Sequence, residues 1–322
     1  MNDNNDLIQE AWKVRQKFDP VIHFFAPGAK HYYNRYYANH ANSFVNMSVT
    51  GKACACRCDH CKGRLLETMV ATTSPQEMRN TVDRLLNIGG RGILVSGGAD
   101  AEGEVPLLPY IEVMKYAKNM GLKVLVHGGL IQPDTAAGLK EAGVDQVLLD
   151  VIGDENTIKR VYHLDRTPDD YLRSMVYCRE AGLELAPHVV IGLHYGQVRG
   201  EKRALEMIRE VDPETVVLVI LTPSAGTAMA ELKAPPIDKV AEIIAAARVM
   251  NPHTALTLGC ARPPGLYKRR VEIEAVDCGV NGIAYPDEVT VWYAANRGLE
   301  ARFSEECCSL IARKEAWVVN CS

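Results

Sequence analysis

The 322-residue sequence predicts an α/β fold of the TIM-like (βα)8 kind, closed or partly open, on three observations. Short β-like runs alternate with helical segments along most of the chain. Several of those runs, such as KVLVH and VVLVIL, are continuously aliphatic, which suits parallel strands buried on both faces. The helical segments between them carry their own start and stop signals. Strands are expected at Phe44–Val49, Gly92–Val95, Lys123–His127, Gln146–Val151, His188–Gly192, Thr215–Leu221, Thr254–Leu258 and Asn281–Ala284. Ser74-Pro75-Gln76-Glu77 offers an N-cap, a proline at the first helical position and a capping-box glutamate. Thr167-Pro168-Asp169-Asp170 repeats that logic before a helix that stops at Gly182, and NMGLK and EAGVD close helices on glycine directly before a strand. The expected layout is an N-terminal arm (1–43), one barrel (44–286), and a C-terminal helix with a cysteine-bearing tail (287–322).

Charge excludes several classes of partner. Lysine and arginine number 36 against 40 aspartates and glutamates, a net of −4, so there is no electrostatic footprint for nucleic acid or anionic membranes. The aliphatic run Val216–Leu221 is too short to span a bilayer. The polar, acidic start MNDNNDLIQE does not read as a secretory signal, and a cytoplasmic protein is expected.

Cysteine usage is the informative feature. Four of the ten cysteines crowd into GKACACRCDHCKG, directly after the first expected strand. In a reducing compartment, clustered cysteines more often mean metal or redox chemistry than disulfides. Cys54, Cys58 and Cys61 have C-x3-C-x2-C spacing. Three thiolates on one tight loop can ligate three irons of a cubane cluster and leave the fourth iron open. The competing reading is a structural zinc site using all four cysteines, including Cys56, although no second C-x2-C pair follows.

On these residues the chain resembles the radical S-adenosylmethionine (SAM) superfamily, from about Phe44 to Pro286. The C-x3-C-x2-C loop after the first strand is that family's hallmark. The residue before its last cysteine is usually aromatic, and here it is His60. The resemblance implies a radical SAM barrel, a [4Fe-4S] cluster and SAM. It places Ser96, Gly97, Gly98 and Asp100 at the glycine-rich turn that meets the amino group of SAM, and Asp150 near the ribose. A helix N-cap competes with a ribose role for Asp154. HVVIGLHYGQ matches the fifth-strand region of biotin-synthase-like members, with Gly192 and Gly196 able to let a nucleoside approach the backbone. LTPSAGTAM, with Thr222 as a cofactor-binding candidate, matches their sixth-strand proline and glycine-threonine turn, and LGCAR and GVNGIAYP match their last two strands. Two departures stand out. The middle strands lack the cysteines that biotin synthase uses for its second cluster, and Tyr171 sits where an arginine is usual.

The remaining thiols suggest a second cluster. Strand alternation puts Cys260 on the same side as Arg262, and that side should face the barrel. With Cys307, Cys308 and Cys321 on the tail, it completes four thiolates, the complement of a closed [4Fe-4S] site, with Cys278 as a substitute for one of an adjacent pair. Cys178 reads as a small core residue. A biotin-synthase-like barrel with such a tail, preceded by FFAPGAKHYYN, is similar to the two-protein lipoyl synthases of archaea and some anaerobic bacteria. That likeness implies sulfur insertion into an octanoyl chain, with a flavodoxin or ferredoxin reductant, a lipoyl carrier domain and a sister radical SAM protein as partners. The basic run Lys268-Arg269-Arg270 is a docking candidate for the carrier, or simply a solvated helix face. A radical SAM enzyme without sulfur insertion (cofactor maturation or carbon-skeleton rearrangement) and a cluster-binding scaffold without SAM chemistry stay open beside it. His31, His127, His188, His194 and Tyr195 are candidates to line the cavity, and no general base is assigned.

Overall fold

The structure, a computed structural model, describes residues 2–313. Its sheet has eleven strands: β1 (Val21–Phe25), β2 (Phe44–Ser48), β3 (Val70–Ala71), β4 (Gly92–Ser96), β5 (Lys123–His127), β6 (Gln146–Asp150), β7 (Leu185–Ile191), β8 (Thr215–Ile220), β9 (Ala255–Leu258), β10 (Gly282–Ala284) and β11 (Glu300–Ser304). They pair in the order β11-β1-β10-β9-β8-β7-β6-β5-β4-β2-β3, every pairing parallel, with β11 and β3 as free edges. The result is an open, TIM-like half-barrel. All eight expected strands are present within a few residues of the expected bounds. The aliphatic runs are mostly buried, with Val219 in β8 (TVVLVI) and Leu94 in β4 half-buried, because neighbours cover both faces of most strands.

Among the described residues ten helices form the outer layer: α1 (Asn2–Arg15), α2 (Pro75–Asn87), α3 (Ile111–Asn119), α4 (Pro133–Ala142), α5 (Glu155–Thr157), α6 (Pro168–Glu180), α7 (Glu201–Glu210), α8 (Ile237–Met250), α9 (Leu266–Asp277) and α10 (Glu288–Asn296). Ser74 caps α2 by accepting the Glu77 amide, while the Glu77 carboxylate reaches Thr73 rather than Ser74, one residue beyond the expected box. At α6 the Asp170 carboxylate accepts from both the amide (2.7 Å) and the hydroxyl (2.9 Å) of Thr167.

Three strands, β1, β3 and β11, lie outside the eight expected. The first 43 residues supply α1 and β1, and β1 inserts between β10 and β11. Buried Arg15 fixes this junction, donating to the carbonyls of Asp19, Val21 and Val280. After β11 the tail turns into the half-barrel. There a short helical turn (Cys308–Ala312) packs Cys308 and Leu310 among Phe25, Phe44, Leu125, Leu148 and Val217.

Candidate active site

The cysteine loop leaves β2 and is tied down on both sides. On the β4 side the Gly98 amide donates to Thr50 Oγ1 (2.7 Å) and the Ala55 amide to the Ala99 carbonyl (2.8 Å). A Cβ on Gly98 would lie 1.9 Å from the Ala53 carbonyl oxygen and 2.6 Å from Cys54 Cα, so only glycine lets the two backbones meet. On the far side the Asp59 amide donates to the Val161 carbonyl (2.9 Å) and the Ser224 amide to the His60 carbonyl (2.8 Å). The Asp59 carboxylate accepts from the Tyr195 hydroxyl (2.5 Å) and lies 3.1 Å from His163 Nε2. Tyr195 and His163 hold φ values of 51° and 58°, a left-handed backbone that is costly for residues with a Cβ and clusters at functional sites.

The sulfurs of Cys54, Cys56, Cys58 and Cys61 form a chain of neighbouring hydrogen bonds. Hydrogen bonds from Cys54 and Cys58 pull Cys56 down to about 3, and the bond from Cys58 pulls Cys61 down to about 4, with the His60 imidazole assisting. Proton sharing and burial push Cys54 and Cys58 up. Two of the four thiols are thus set to release protons, the form in which sulfur binds metal. The sulfurs of Cys58 and Cys61 and a ring nitrogen of His60 lie within 4.8 Å of one another. Cys54 stands outside that tight group, bonded to Cys56.

All four cysteines line a cavity of about 350 Å³ at the C-terminal ends of the strands. Strand alternation builds its floor. Leu125, Leu148 and Ala186 pack in the lower lumen, and the residues two places on, His127, Asp150 and His188, form a polar layer above them. His127 Nε2 lies 3.6 Å from Asp150 Oδ1, the Tyr162 hydroxyl donates to Asp150 Oδ2 (3.0 Å), and the His127 and His188 rings meet edge-to-face at 5.4 Å. Burial favours neutral Asp150, but His127, His188 and the Tyr162 hydroxyl outweigh it and hold the carboxyl well below its ordinary range. Burial also pulls His127 down, yet the Asp150 contact leaves it raised. His188 is lowered to about 4 by burial and then by the His127 charge. Leu65, Leu66, Met69, Val105, Leu130 and Leu164 give the remaining wall an apolar character.

The expected site residues divide. Ser96, Gly97, Gly98 and Asp150 line the cavity together with Cys54, Cys58 and Cys61, whereas Asp100, Gly192 and Thr222 do not. Asp100 closes its own turn, its carboxylate accepting the Glu102 and Glu104 amides at 3.0 and 2.9 Å. The Gly192 amide donates to buried Glu201 (2.8 Å), and Thr222 Oγ1 donates to the Ile220 carbonyl (2.9 Å). Asp154 is the α5 N-cap, accepting the Thr157 amide at 2.8 Å. Of the candidate histidines, His127 lines the cavity and His188 touches it through His127; His31 is exposed and His194 bonds Thr157. Asn46 and Tyr162 line the cavity unanticipated. A polar residue inside the FVNMS strand was the signal for Asn46. Tyr162 lies in an irregular π-helical turn (Ile158–Tyr162) that no periodicity marks.

The structure gathers three of the outlying thiols. Cys260, Cys307 and Cys308 come within electrostatic reach of one another and of Tyr285. Cys307 is lowered to about 6, first by a hydrogen bond from Cys308, with the Ser309 hydroxyl (3.3 Å) and the His127 charge contributing. Cys260 is solvent-accessible, and the protein around it pushes its thiol up. Arg262 departs from expectation. β9 ends at Leu258, alternation lapses, and Arg262 turns to the helix layer, pairing with fully buried Glu272 (2.6 Å) while bonding the Gly259 and Ala284 carbonyls. Cys278 caps α9 and donates to the Ala241 carbonyl (3.4 Å), and Cys178 is buried in α6, so neither joins the lumen thiols. Cys321 lies outside the described residues. Of the basic run, Lys268 pairs with Glu272 (2.7 Å) and Arg269 with Asp287 (3.3 Å), so intramolecular partners take up two of its three charges.

The profile of the radical SAM superfamily matches residues 48–224, over half of the chain. This chain belongs to the radical SAM superfamily. The match takes in the cysteine loop, the glycine turn and the polar layer, and stops short of the lumen thiols. Curated relatives include the biotin synthase of Geobacillus thermodenitrificans, 26% identical over 279 residues that cover 80% of this chain and 81% of that one. The biotin synthase of Prochlorococcus marinus is 24% identical over 292 residues, covering 88% and 80%. Among solved structures, methylornithine synthase (PylB) shares the fold at TM-score 0.62 and 15% identity, covering 92% of this chain and 89% of that one. The [FeFe]-hydrogenase maturase HydG does so at 0.67 and 16%, covering 98% and 72%.

Radical SAM membership implies a [4Fe-4S] cluster and SAM, and the residues present fit both. The loop offers four soft sulfur donors, Cys61 among them with lowered proton affinity, and His60 Nδ1 is buried without a hydrogen-bond partner among the described residues. The adjoining cavity presents a carboxylate, a hydroxyl and backbone groups in an otherwise apolar wall. Among the described residues no helix is long and apolar enough to cross a membrane.

Proposed function

We propose that this radical SAM enzyme inserts sulfur into an unactivated acyl chain, as in the formation of a lipoyl group on a carrier protein. The observation that carries the reading is the gathering of Cys260, Cys307 and Cys308 inside the half-barrel, with Cys307 within charge range of the cavity residue His127. Cys54, Cys58 and Cys61 would hold the SAM-binding cluster, with Cys56, which lies 3.3 Å from the Asp100 carbonyl, as the loop thiol left over. Ser96, Gly97 and Asp150 would hold SAM against it. When bound, this pair supplies a 5′-deoxyadenosyl radical by one-electron cleavage of the sulfonium, the electron coming from a reductant such as flavodoxin. The lumen thiols, with Cys321 as fourth ligand, would hold a second iron–sulfur cluster, the source of the inserted sulfur.

The chain's own work is positioning and exclusion. Leu66, Met69, Val105 and Leu130 keep water from the reacting carbon and suit a linear acyl chain. Arg262 and Glu272 fix the turn that carries Cys260. Anaerobic reconstitution tests the reading. The wild type should bind two clusters, a Cys54/Cys58/Cys61→Ala triple variant one, and SAM-dependent thiolation of an octanoyl-lysyl peptide should appear by mass spectrometry. Normal SAM cleavage with one cluster and no thiolated product would exclude sulfur insertion.

A further inference from the structure

His60 occupies the place before the last loop cysteine, and its surroundings are more specific than a filler ring needs. One ring nitrogen is within 4.8 Å of both the Cys58 and Cys61 sulfurs. Nδ1 is buried and has no hydrogen-bond partner among the described residues, a costly state that a deprotonated Cys61 sulfur, a better acceptor than the thiol, would relieve. The ring cannot readily swing away. It packs on Tyr162 at 5.5 Å, Tyr162 is anchored to Asp150 (3.0 Å), and the His60 carbonyl is held by the Ser224 amide (2.8 Å). The preceding residue, Asp59, is gripped by Tyr195 and His163.

We propose that His60 is a positioning residue that donates a hydrogen bond to Cys61 Sγ and thereby raises the reduction potential of the cluster held by Cys54, Cys58 and Cys61. The inference rests on the cluster assignment above. An N–H donor aimed at a ligand sulfur draws electron density from it and favours the reduced cluster, one of the levers by which proteins tune iron–sulfur potentials. A phenylalanine or tyrosine ring at this place keeps the packing on Tyr162 and lacks the donor. Histidine keeps both, so this cluster accepts its electron more readily and drives SAM cleavage with less force than it would with an aromatic hydrocarbon there.

The test compares full-length wild type, H60F and H60Q, each reconstituted anaerobically and assayed for iron, sulfide and SAM binding. Midpoint potentials come from EPR-monitored dithionite titration. The wild type should have the highest midpoint, H60F a more negative one, and H60Q, which restores an N–H, an intermediate one. Equal midpoints at equal iron content overturn the proposal and leave the cluster assignment standing. If no variant, including the wild type, binds a cluster, assignment and proposal fall together. Should H60F alone fail to assemble, pulsed EPR of the reduced wild type labelled with 15N-histidine decides. A weak nitrogen coupling with an exchangeable proton supports the hydrogen bond; no coupling, or the strong coupling of an Fe–N bond, overturns it.

Discussion

Gly98→Ala should separate a structural role for the glycine turn from a ligand-binding one. The new methyl would meet the Ala53 carbonyl oxygen at 1.9 Å and Cys54 Cα and Cβ at 2.6 Å, all on or next to backbone. Real Cβ contacts do not fall below 3.0 Å, so the loop must retreat by 3.0 − 1.9, at least 1.1 Å. That retreat stretches the Gly98–Thr50 and Ala55–Ala99 hydrogen bonds from 2.7 and 2.8 Å past useful length. At about 1 kcal/mol each the two losses amount to about 2 kcal/mol, which lowers Tm by several degrees. Displacing Cys54 by about 1 Å should also cost on the order of 100-fold in SAM cleavage. Gly97→Ala is the control, because its methyl meets only side chains, Val49, Val105 and Thr50, at 3.0–3.2 Å. The assays are iron content after reconstitution, thermal unfolding and 5′-deoxyadenosine formation. G98A should bind less iron than G97A. If both retain full iron and differ from wild type only in SAM affinity, Gly98 serves the ligand rather than the loop, and the packing argument fails.

Three further outcomes follow from the same geometry. Glu272→Met should cost about 3–5 kcal/mol in chemical denaturation, because it leaves the buried Arg262 charge without its carboxylate, while Arg262→Met should cost less, because Lys268 still pairs with Glu272 at 2.7 Å. His188 must stay neutral when folded: its value of about 4 against the ordinary 6.5 means the unfolded chain takes the proton first, so stability falls as pH drops from 6.5 through 4. Replacing it in H188N should remove up to about 3 kcal/mol of that slope, read as Tm against pH; an unchanged slope would place the titration elsewhere. In the Cys54/Cys58/Cys61→Ala background, C260S and C307S should each lower bound iron, and C278A should leave it unchanged, since Cys278 packs against α8.

The legible part of the fold was the part whose physics is local. Strands such as KVLVH announce themselves because burial on both faces demands an unbroken aliphatic run. β11 (EARFS) escaped because it is an edge strand, exposed at its start, and carries no such run. β1 (VIHFF) is only five residues long, and its place between β10 and β11 is a long-range pairing that no local pattern encodes. At the site, the thiol spacing and the glycine turn were readable because chemistry fixes both. Arg262 was misplaced because alternation was carried four residues past the end of β9 at Leu258. Asp100, Gly192 and Thr222 came from likeness to other proteins, and here their polar groups serve the chain's own turns.

What the sequence could not show is how the tail thiols come to lie near the polar layer. Alternation makes the lower lumen apolar (Leu125, Leu148, Ala186) and the layer above it polar (His127, Asp150, His188). An apolar lower lumen open along one side, between β11 and β3, would draw in apolar chain, and the tail supplies it in Cys308 and Leu310. Because Cys307 caps that turn, burying Leu310 brings Cys307 within charge range of His127. His127 faces Asp150, Asp150 holds Tyr162, and Tyr162 supports His60 beside Cys61. The polar layer therefore forms a row of contacts from His127 to His60, with Cys307 within charge range of one end and Cys61 beside the other. A substitution in the middle of that row, at Asp150, touches neither set of thiols yet bears on the placement of both.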